Sequence, residues 1–299
     1  MEKRLSALFY NFANNEKHLS YLFILPAVAI LFGVAIFPLI FSLSTSLTNF
    51  TFALPKVEFI GLKNFAKVFK DDYFWNGLKL TAIFVTVSTT VSLMVGFATA
   101  LLIDKLLKGA AILKTIVLFP MVVPSIVVGI MWLLMFMPDF SVINYFLGLL
   151  GITPPQWILT PGWALVAVMI AYIWQWTPFF ILMITAGLAA LPVEPYEAAL
   201  VDGASWSQMV RFITIPLLRP IILLTIIIRM MDSFRVFDQV FVMTAGGPGR
   251  STQVLSLVIY LTGIRYRYLG YASAMSWIML IIIIALATLM IRLLRQVRI

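Results

Sequence analysis

The sequence predicts an all-α integral membrane protein with six transmembrane helices. Three observations lead to this fold class: the composition, six long apolar stretches, and the lack of strand-like alternation within them. Of 299 residues, 62% are hydrophobic and 11% are charged, whereas soluble domains carry about 25% charged residues. So few charges cannot cover an apolar core against water, and we expect lipid around much of the surface. A soluble enzyme, a disordered tail and, because Cys is absent, a disulfide-built secreted domain are excluded.

Six apolar stretches are long enough to cross a hydrocarbon core of about 30 Å, which needs about 20 helical residues. Runs such as Ile278–Ile284 lack the apolar–polar alternation of a membrane β-barrel strand, so we predict helices. We expect a single transmembrane domain over residues 1–299, with spans near residues 20–48, 78–103, 115–137, 163–190, 220–243 and 271–293.

Taken in order, the elements have distinct signals. The first span exceeds the apolar length of a signal peptide, so we expect it to be retained. Residues 58–77 predict a short interfacial helix leading into the second span. Pro120 and Pro124 predict a broken third span. The apolar stretch Val142–Leu150 is too short to cross the membrane.

The net charge of +9 divides into short basic clusters between apolar runs, which is typical of topology signals rather than of a nucleic-acid surface. One set of connections carries eleven Lys and Arg residues and the opposite set carries seven. This bias predicts a multi-pass protein of the cell membrane with both termini in the cytoplasm. With one His (His18) and no Cys, the sequence predicts no metal site.

Residues 191–219 stand out because a plain connection needs only a few residues. Pro195 fits the first turn of a helix, and Asp202–Gly203 predicts a turn. Ser205 and Gln208 have the spacing of a capping box that opens a second short helix. Two short helices with a sharp joint indicate docking onto a cytoplasmic partner. A solvated hairpin that only joins two spans is the alternative.

We expect Pro216 to end the second short helix. The whole loop resembles the EAA loop of permease subunits in binding-protein-dependent ABC importers. That family's pattern is Glu-Ala-Ala, three residues, Gly, nine residues and Ile-x-Leu-Pro. The matching positions are Glu197, Ala198, Ala199, Gly203, Ile213 and Pro216, with Ile215 in the place of the usual Leu.

The resemblance extends to the carbohydrate-uptake branch of that family, the maltose- and glycerol-phosphate-type permeases. Asp202 and Gly203 belong to its Asp-Gly-Ala signature, and residues 59–65, 237–252 and 270–277 are also similar. Leu80 and Ser141 depart from the pattern, which weakens the transfer of substrate identity but not of family.

The resemblance implies a type I ABC importer permease fold and a sugar, oligosaccharide or polyol as the transported solute. It implies a heterodimer with a second homologous permease, two ATPase subunits and an extracytoplasmic solute-binding protein. The first short helix would be the coupling helix that docks on an ATPase. The chain would hold no cofactor of its own, and ATP and Mg would be bound by the ATPase subunits.

The sequence also predicts, independently of the resemblance, that this chain does not hydrolyse ATP. The Gly-rich segment Gly246–Thr252 lacks the Gly spacing and the Lys of a Walker A motif, so we predict a turn and no enzyme activity. Three alternatives remain: a permease for a sugar phosphate or another polar solute, a gradient-driven secondary transporter, and a structural membrane scaffold.

Polar residues within the predicted spans mark a candidate pathway, because charge in a bilayer is costly. The fifth span places Arg229, Asp232, Arg235 and Asp238 three residues apart with alternating sign, which predicts a self-neutralised polar ridge. We predict that its first two residues line the pathway, while a structural ridge is the alternative. In the fourth span, Trp174 and Gln175 are further candidates for solute contact, and kink-and-packing around Pro178 is their alternative.

Overall fold

The computed structural model describes residues 16–52, 56–105, 110–138 and 141–297. Within these ranges the regular structure is helical, apart from one isolated antiparallel bridge between Thr48 and Phe59. Five helices are long and apolar enough to cross a membrane, and a bent helix pair makes six. The predicted all-α fold with six spans is therefore confirmed. Contacts divide the chain into two compact units.

The first unit comprises the described residues up to Val68 together with Thr262–Trp277. Its first span is helical throughout, because a π-turn at Phe32–Ile36 joins two α-helices. Asn64 ties the loop after this span: its Nδ2 donates to the carbonyls of Ser46 and Thr48, both at 2.8 Å. The helices of this unit are α1 (Glu16–Leu31), α2 (Phe37–Ser46) and α3 (Lys63–Val68).

The second unit comprises Phe69–Leu261 and Ile278–Ile299. Its helices are α4 (Asp72–Asp104), α5 (Ala110–Leu118), α6 (Ser125–Phe136), α7 (Val142–Leu149), α8 (Trp163–Ala189), α9 (Glu194–Val201), α10 (Trp206–Met209), α11 (Ile215–Ser233), α12 (Asp238–Thr244) and α13 (Leu255–Tyr260). The last helix, α14 (Leu269–Val297), has residues in both units.

Helix α8 is the centre of the second unit. It packs along α4, where Gly96 lets the two backbones approach closely. A Cβ at Gly96 would lie 2.6 Å from the Cβ of Phe180, so only Gly fits there. Such small-residue contacts are the usual way in which membrane helices pack. Further along, the ring of Phe84 meets that of Tyr172 edge-on at 5.0 Å.

The third span is broken, as its prolines predict. The helical stretches Thr115–Val122 and Ser125–Phe136 meet at an angle of 101°. Val123 and Pro124 between them are extended. Pro124 has no N–H to continue a helix, and it disfavours helical geometry in the residue before it.

Two predicted boundaries are wrong. Pro216 does not end the second short helix: α10 passes through a π-turn at Val210–Thr214 into α11. Pro216 is the second residue of α11 and lies directly after the π-turn. The fifth span therefore begins at Trp206 and its helix ends at Ser233, instead of running over 220–243.

The starts of two elements also differ from expectation. Asp71 caps α4 by accepting a hydrogen bond from the N–H of Tyr73 at 2.8 Å, so this helix begins well before residue 78. The interfacial helix predicted within 58–77 is correspondingly only α3. Helix α13 was not predicted, because six residues are too few to display helical periodicity.

Candidate functional site

The predicted coupling loop contains α9, a helix that stands out from its surroundings. None of its eight residues, all of them described, is buried. Leu200 and Val201 leave 61% and 89% of their surface exposed, and Glu194 and Glu197 occupy the first turn. Carboxylates there favour the helix because they oppose its dipole. The helix thus has an acidic end and an uncovered apolar side.

The turn after α9 has the predicted chemistry. Gly203 adopts a left-handed φ of +76°, which a side chain disfavours, and the N–H of Ala204 donates to the carbonyl of Ala199 at 2.9 Å. The capping box of α10 is also confirmed: the N–H of Ser205 donates to Oε1 of Gln208 at 2.7 Å, and the N–H of Gln208 donates back to the Ser205 hydroxyl. The reversal between α9 and α10 is therefore built from specific hydrogen bonds.

The seven predicted coupling residues fall on α9, on the turn and on the start of the fifth span. Ala199 and Ile213 are half-buried, and the others are exposed: Glu197, Ala198, Asp202, Gly203 and Pro216. The structure keeps the pattern on one continuous segment and leaves its α9 portion accessible.

The predicted charge ridge is divided by a helix break. Arg229 and Asp232 lie on α11, Arg235 lies in the turn that follows, and Asp238 opens α12. One continuous helix through all four charges is therefore wrong, whereas the predicted pairing of neighbouring charges is confirmed from Arg229 to Asp232 and from Asp232 to Arg235. A carboxylate in the first turn favours a new helix start, which accounts for α12 beginning at Asp238.

Arg229 is buried, with 2% of its surface exposed. Its guanidinium donates to the hydroxyl of Tyr172 at 2.5 Å and to Oδ2 of Asp232 at 3.2 Å. It also lies over the ring of Trp176, 4.0 Å from the centroid, where the electron-rich ring face attracts a cation. Since Trp176 lies midway along α8, this charge is held at the middle of that span.

Asp232 connects two arginines. Its Oδ1 accepts from Arg235 at 2.8 Å while Oδ2 accepts from Arg229. The Asp232 side chain is 43% exposed and that of Arg235 is 68% exposed. The cluster therefore extends from the buried guanidinium of Arg229 to the exposed guanidinium of Arg235. Its three charges sum to +1, and water or a solute can reach the outer two.

This cluster lines a cavity of about 340 Å³. Its walls include Tyr172, Trp176, Arg229, Asp232, Arg235 and Gln239. Guanidinium groups offer several hydrogen-bond donors, the carboxylate offers acceptors, and the indole offers a flat apolar face. The arrangement suits a solute rich in hydroxyl groups.

Gln175 is buried and bridges two helix breaks. Its Nε2 donates to the carbonyl of Val123 at 2.8 Å, in the break of the third span, and to the hydroxyl of Ser125 at 3.3 Å. Its Oε1 accepts from Nε2 of Gln239 at 2.5 Å, on the helix that follows the break in the fifth span. Broken membrane helices need such partners for their freed backbone groups. Gln175 is not among the residues that line the cavity.

Trp174 points elsewhere. It is half-buried, its ring meets that of Trp132 edge-on at 5.9 Å, and it does not line the cavity either. The structure therefore brings the three span-five candidates together and separates both span-four candidates from them.

Three polar residues of the site were missed by sequence reasoning. They are Tyr172 and Ser233, whose hydroxyls lie 2.8 Å apart, and Gln239. The spacing of Tyr172 and Trp176, four residues apart on one helix face, was an available signal. Among the described residues, no group of three or more His, Asp or Glu side chains could hold a metal ion.

The chain is similar to known membrane proteins over most of its length. Residues 92–298 match the family described as binding-protein-dependent transport system inner membrane component. The trehalose/maltose transport system permease protein MalF of Thermococcus litoralis is 38% identical over 245 residues, which cover 82% of this chain and 83% of the relative.

Two solved structures share the fold. One is a bacterial ABC transporter involved in the import of the acidic polysaccharide alginate, with a TM-score of 0.82 and 21% identity over 97% of this chain and 99% of that one. The other is a bacterial alginate ABC transporter in complex with a periplasmic protein that carries an alginate pentasaccharide. Its TM-score is also 0.82, at 21% identity, with 93% and 94% of the two chains covered.

Proposed function

Since this chain belongs to the family of binding-protein-dependent transport system inner membrane components and is the permease of an ABC importer, we propose that it carries a sugar, oligosaccharide or polyol across the membrane. The relative from Thermococcus litoralis is named for trehalose and maltose, and the fold is shared with an importer of a polysaccharide. The cavity beside Arg229, with charged hydrogen-bonding groups and the face of Trp176, suits such solutes.

The coupling helix carries the mechanistic part of the proposal. An eight-residue helix without a buried residue stands where the Glu-Ala-Ala spacing lies. Burial of Leu200 and Val201 against a partner would be favourable, because exposed apolar surface gains about 25 cal/mol per Å² on leaving water. Glu197 would meet a basic or polar group of that partner. We assign this partner as an ATPase subunit.

The complete transporter then has five proteins. This permease pairs with a second homologous permease in a heterodimer, two ATPase subunits bind ATP and Mg, and an extracytoplasmic binding protein delivers the solute. A bound periplasmic protein in the alginate transporter supports the last assignment. The lack of a Walker A motif in this chain supports the placement of ATP hydrolysis in its partners.

The bias of Lys and Arg supports a location in the cell membrane with both termini in the cytoplasm. This orientation puts α9 on the cytoplasmic side, where an ATPase subunit can reach it.

The proposed pathway consists of Arg229, Asp232 and Arg235, and we include Trp176 because its ring lies against the guanidinium of Arg229. Two helix breaks lie near this point, and discontinuous helices commonly surround the solute sites of transporters. The contacts of Gln175 support a different role for it, which is to hold those breaks together. The contact between the rings of Trp174 and Trp132 supports a packing role for Trp174 in the same region.

Two substitutions test the coupling proposal in the reconstituted complex. Gly203→Pro is incompatible with a φ of +76°, because proline fixes φ near −65°, and Glu197→Lys reverses the charge of the docking end. Both should abolish ATPase stimulation by the binding protein while the chain still inserts.

Gly151→Pro is the matched control, because Gly151 has a similar φ of +72° and, like Gly203, open space around its Cα. It should leave the stimulation intact. Stimulation at the wild-type level in both the Gly203→Pro and the Glu197→Lys variants would contradict the coupling role of α9.

A further inference from the structure

We propose that the hydroxyl of Tyr196 positions the coupling helix by linking α9 to the start of the fifth span, an inference that rests on the proposed function of α9. Tyr196 comes directly before Glu197, on a helix that has no buried residue. The link transmits displacement of α9 to α11.

A hydrogen bond makes this link. The hydroxyls of Tyr196 and Thr214 lie 2.9 Å apart, and Thr214 is buried, with 3% of its surface exposed. Oγ1 of Thr214 also donates to the carbonyl of Met209 at 3.4 Å. With the Thr214 proton used in this way, Tyr196 donates to Thr214. The chain of contacts ends on the backbone of the fifth span.

Close packing does not hold α9 in place. A cavity of about 370 Å³ lies beside it, lined by Leu101, Leu188 and Val193 among others, and by both hydroxyl-bearing residues of the link. A helix above a cavity lacks the apolar contacts that would otherwise fix it. A polar contact across this space therefore has a larger share in positioning α9 than it would in a packed interface.

Other contacts in this region hold different elements. Nζ of Lys105, after the end of α4, lies 3.5 Å from the ring centroid of Trp206 and so fixes α10. The turn at Gly203 joins α9 to α10 through backbone hydrogen bonds, such as that from the N–H of Ala204 to the carbonyl of Ala199, and without a side-chain contact to α11. Tyr196 thus connects α9 to the fifth span through its hydrogen bond with Thr214.

The position of Thr214 explains why the link matters for transport. Thr214 ends the π-turn that leads into α11, and the far end of α11 carries Arg229 and Asp232. A π-turn inside a helix is a frequent feature of functional sites. When an ATPase moves α9, the hydroxyl pair pulls on the same helix that carries the charges of the candidate pathway.

Distance measurement between two spin labels tests the link directly. The chain has no Cys, so labels can be attached at Val193→Cys, next to α9, and Leu217→Cys, on α11. In the assembled complex, the distance distribution should stay narrow both without nucleotide and with ATP trapped. Tyr196→Phe and Thr214→Val should each broaden it, because each removes the shared hydrogen bond.

Transport gives the second readout. In proteoliposomes with radiolabelled trehalose or maltose, each variant should import about fivefold less sugar per ATP hydrolysed, the factor that corresponds to one hydrogen bond. The Tyr196→Phe/Thr214→Val double variant should be no worse than either single variant, because both remove one interaction.

Matched controls are Tyr145→Phe, on exposed α7, and Thr225→Val, whose hydroxyl donates to the carbonyl of Ile221 on its own helix at 2.7 Å. Both variants should keep the narrow distance distribution between the spin labels. Both should also import as much sugar per ATP hydrolysed as the wild type does. Unchanged distance distributions in Tyr196→Phe and Thr214→Val would overturn the link. If instead Glu197→Lys leaves ATPase stimulation intact, the proposed function of α9 itself fails.

Discussion

Asp232→Asn should destabilise the protein more than Arg229→Met, although Arg229 is the more deeply buried residue. Asp232 is the shared acceptor of two arginines, at 3.2 Å and 2.8 Å. Its loss leaves the buried guanidinium of Arg229 without a counter-charge. In Arg229→Met, by contrast, Asp232 keeps its pair with Arg235 and its access to water, and Tyr172 keeps the hydroxyl of Ser233 at 2.8 Å.

The expected magnitudes follow from these contacts. Removing one partner of a buried ion pair costs about 3–5 kcal/mol, while an apolar replacement of a buried charge can be neutral. The Asp232 side chain is 43% exposed, and Arg229 would keep its contacts with Tyr172 and Trp176. We therefore expect the free energy of unfolding to fall by about 2 kcal/mol in Asp232→Asn and by less than about 1 kcal/mol in Arg229→Met.

Thermal unfolding of the purified complex in detergent measures both values. Asp238→Asn is the matched control, because Asp238 lines the same cavity but forms no ion pair within the described part of the chain. A loss of stability in Arg229→Met equal to or above that in Asp232→Asn would refute the reasoning. If Arg229→Met is stable but imports little sugar, Arg229 serves the pathway, whereas unchanged import favours a structural role.

Three further predictions concern helix packing and caps. Gln175→Leu should cost about 2 kcal/mol of stability, because the side chain loses hydrogen bonds to three partners. Such bonds are worth about 0.6 kcal/mol each on average in membrane proteins. An unchanged melting temperature would contradict this prediction. Gly96→Leu should cost at least about 1–3 kcal/mol by overpacking against Phe180, whereas Gly148→Leu, with open space around it, should melt like the wild type. Ser205→Ala should cost about 1 kcal/mol of local helix stability, because it removes the cap. Backbone amides of residues 205–209 should then exchange hydrogen faster. Unaltered exchange would rule out a stabilising cap.

The elements that could be predicted from the sequence have local causes. The sequence predicts the fourth span at 163–190 and the structure has it at Trp163–Ala189, because its ends coincide with the ends of its apolar run. The capping box at Ser205 and the turn at Asp202–Gly203 are predictable for the same reason, since both depend on residues within one turn of chain.

The boundaries that were wrong involve residues whose effect depends on context. Pro216 can end a helix or lie within one, and in the structure it lies within the span, directly after a π-turn. The run of charges near Arg235 fits a continuous helix by spacing, yet the structure breaks the helix after Ser233. No local pattern separates these choices, because the competing conformations have similar propensities.

The sequence by itself determined the membrane-spanning α-helical fold and the turn and cap of the loop over residues 191–219, because hydropathy, turn residues and caps act over short stretches of chain. Only the tertiary structure decided which polar groups meet. Gln175 meets Val123 across 52 residues and Gln239 across 64, and Arg229 meets Tyr172 across 57. Buried polar groups in lipid must find partners, but the partner that each one finds depends on how distant helices pack.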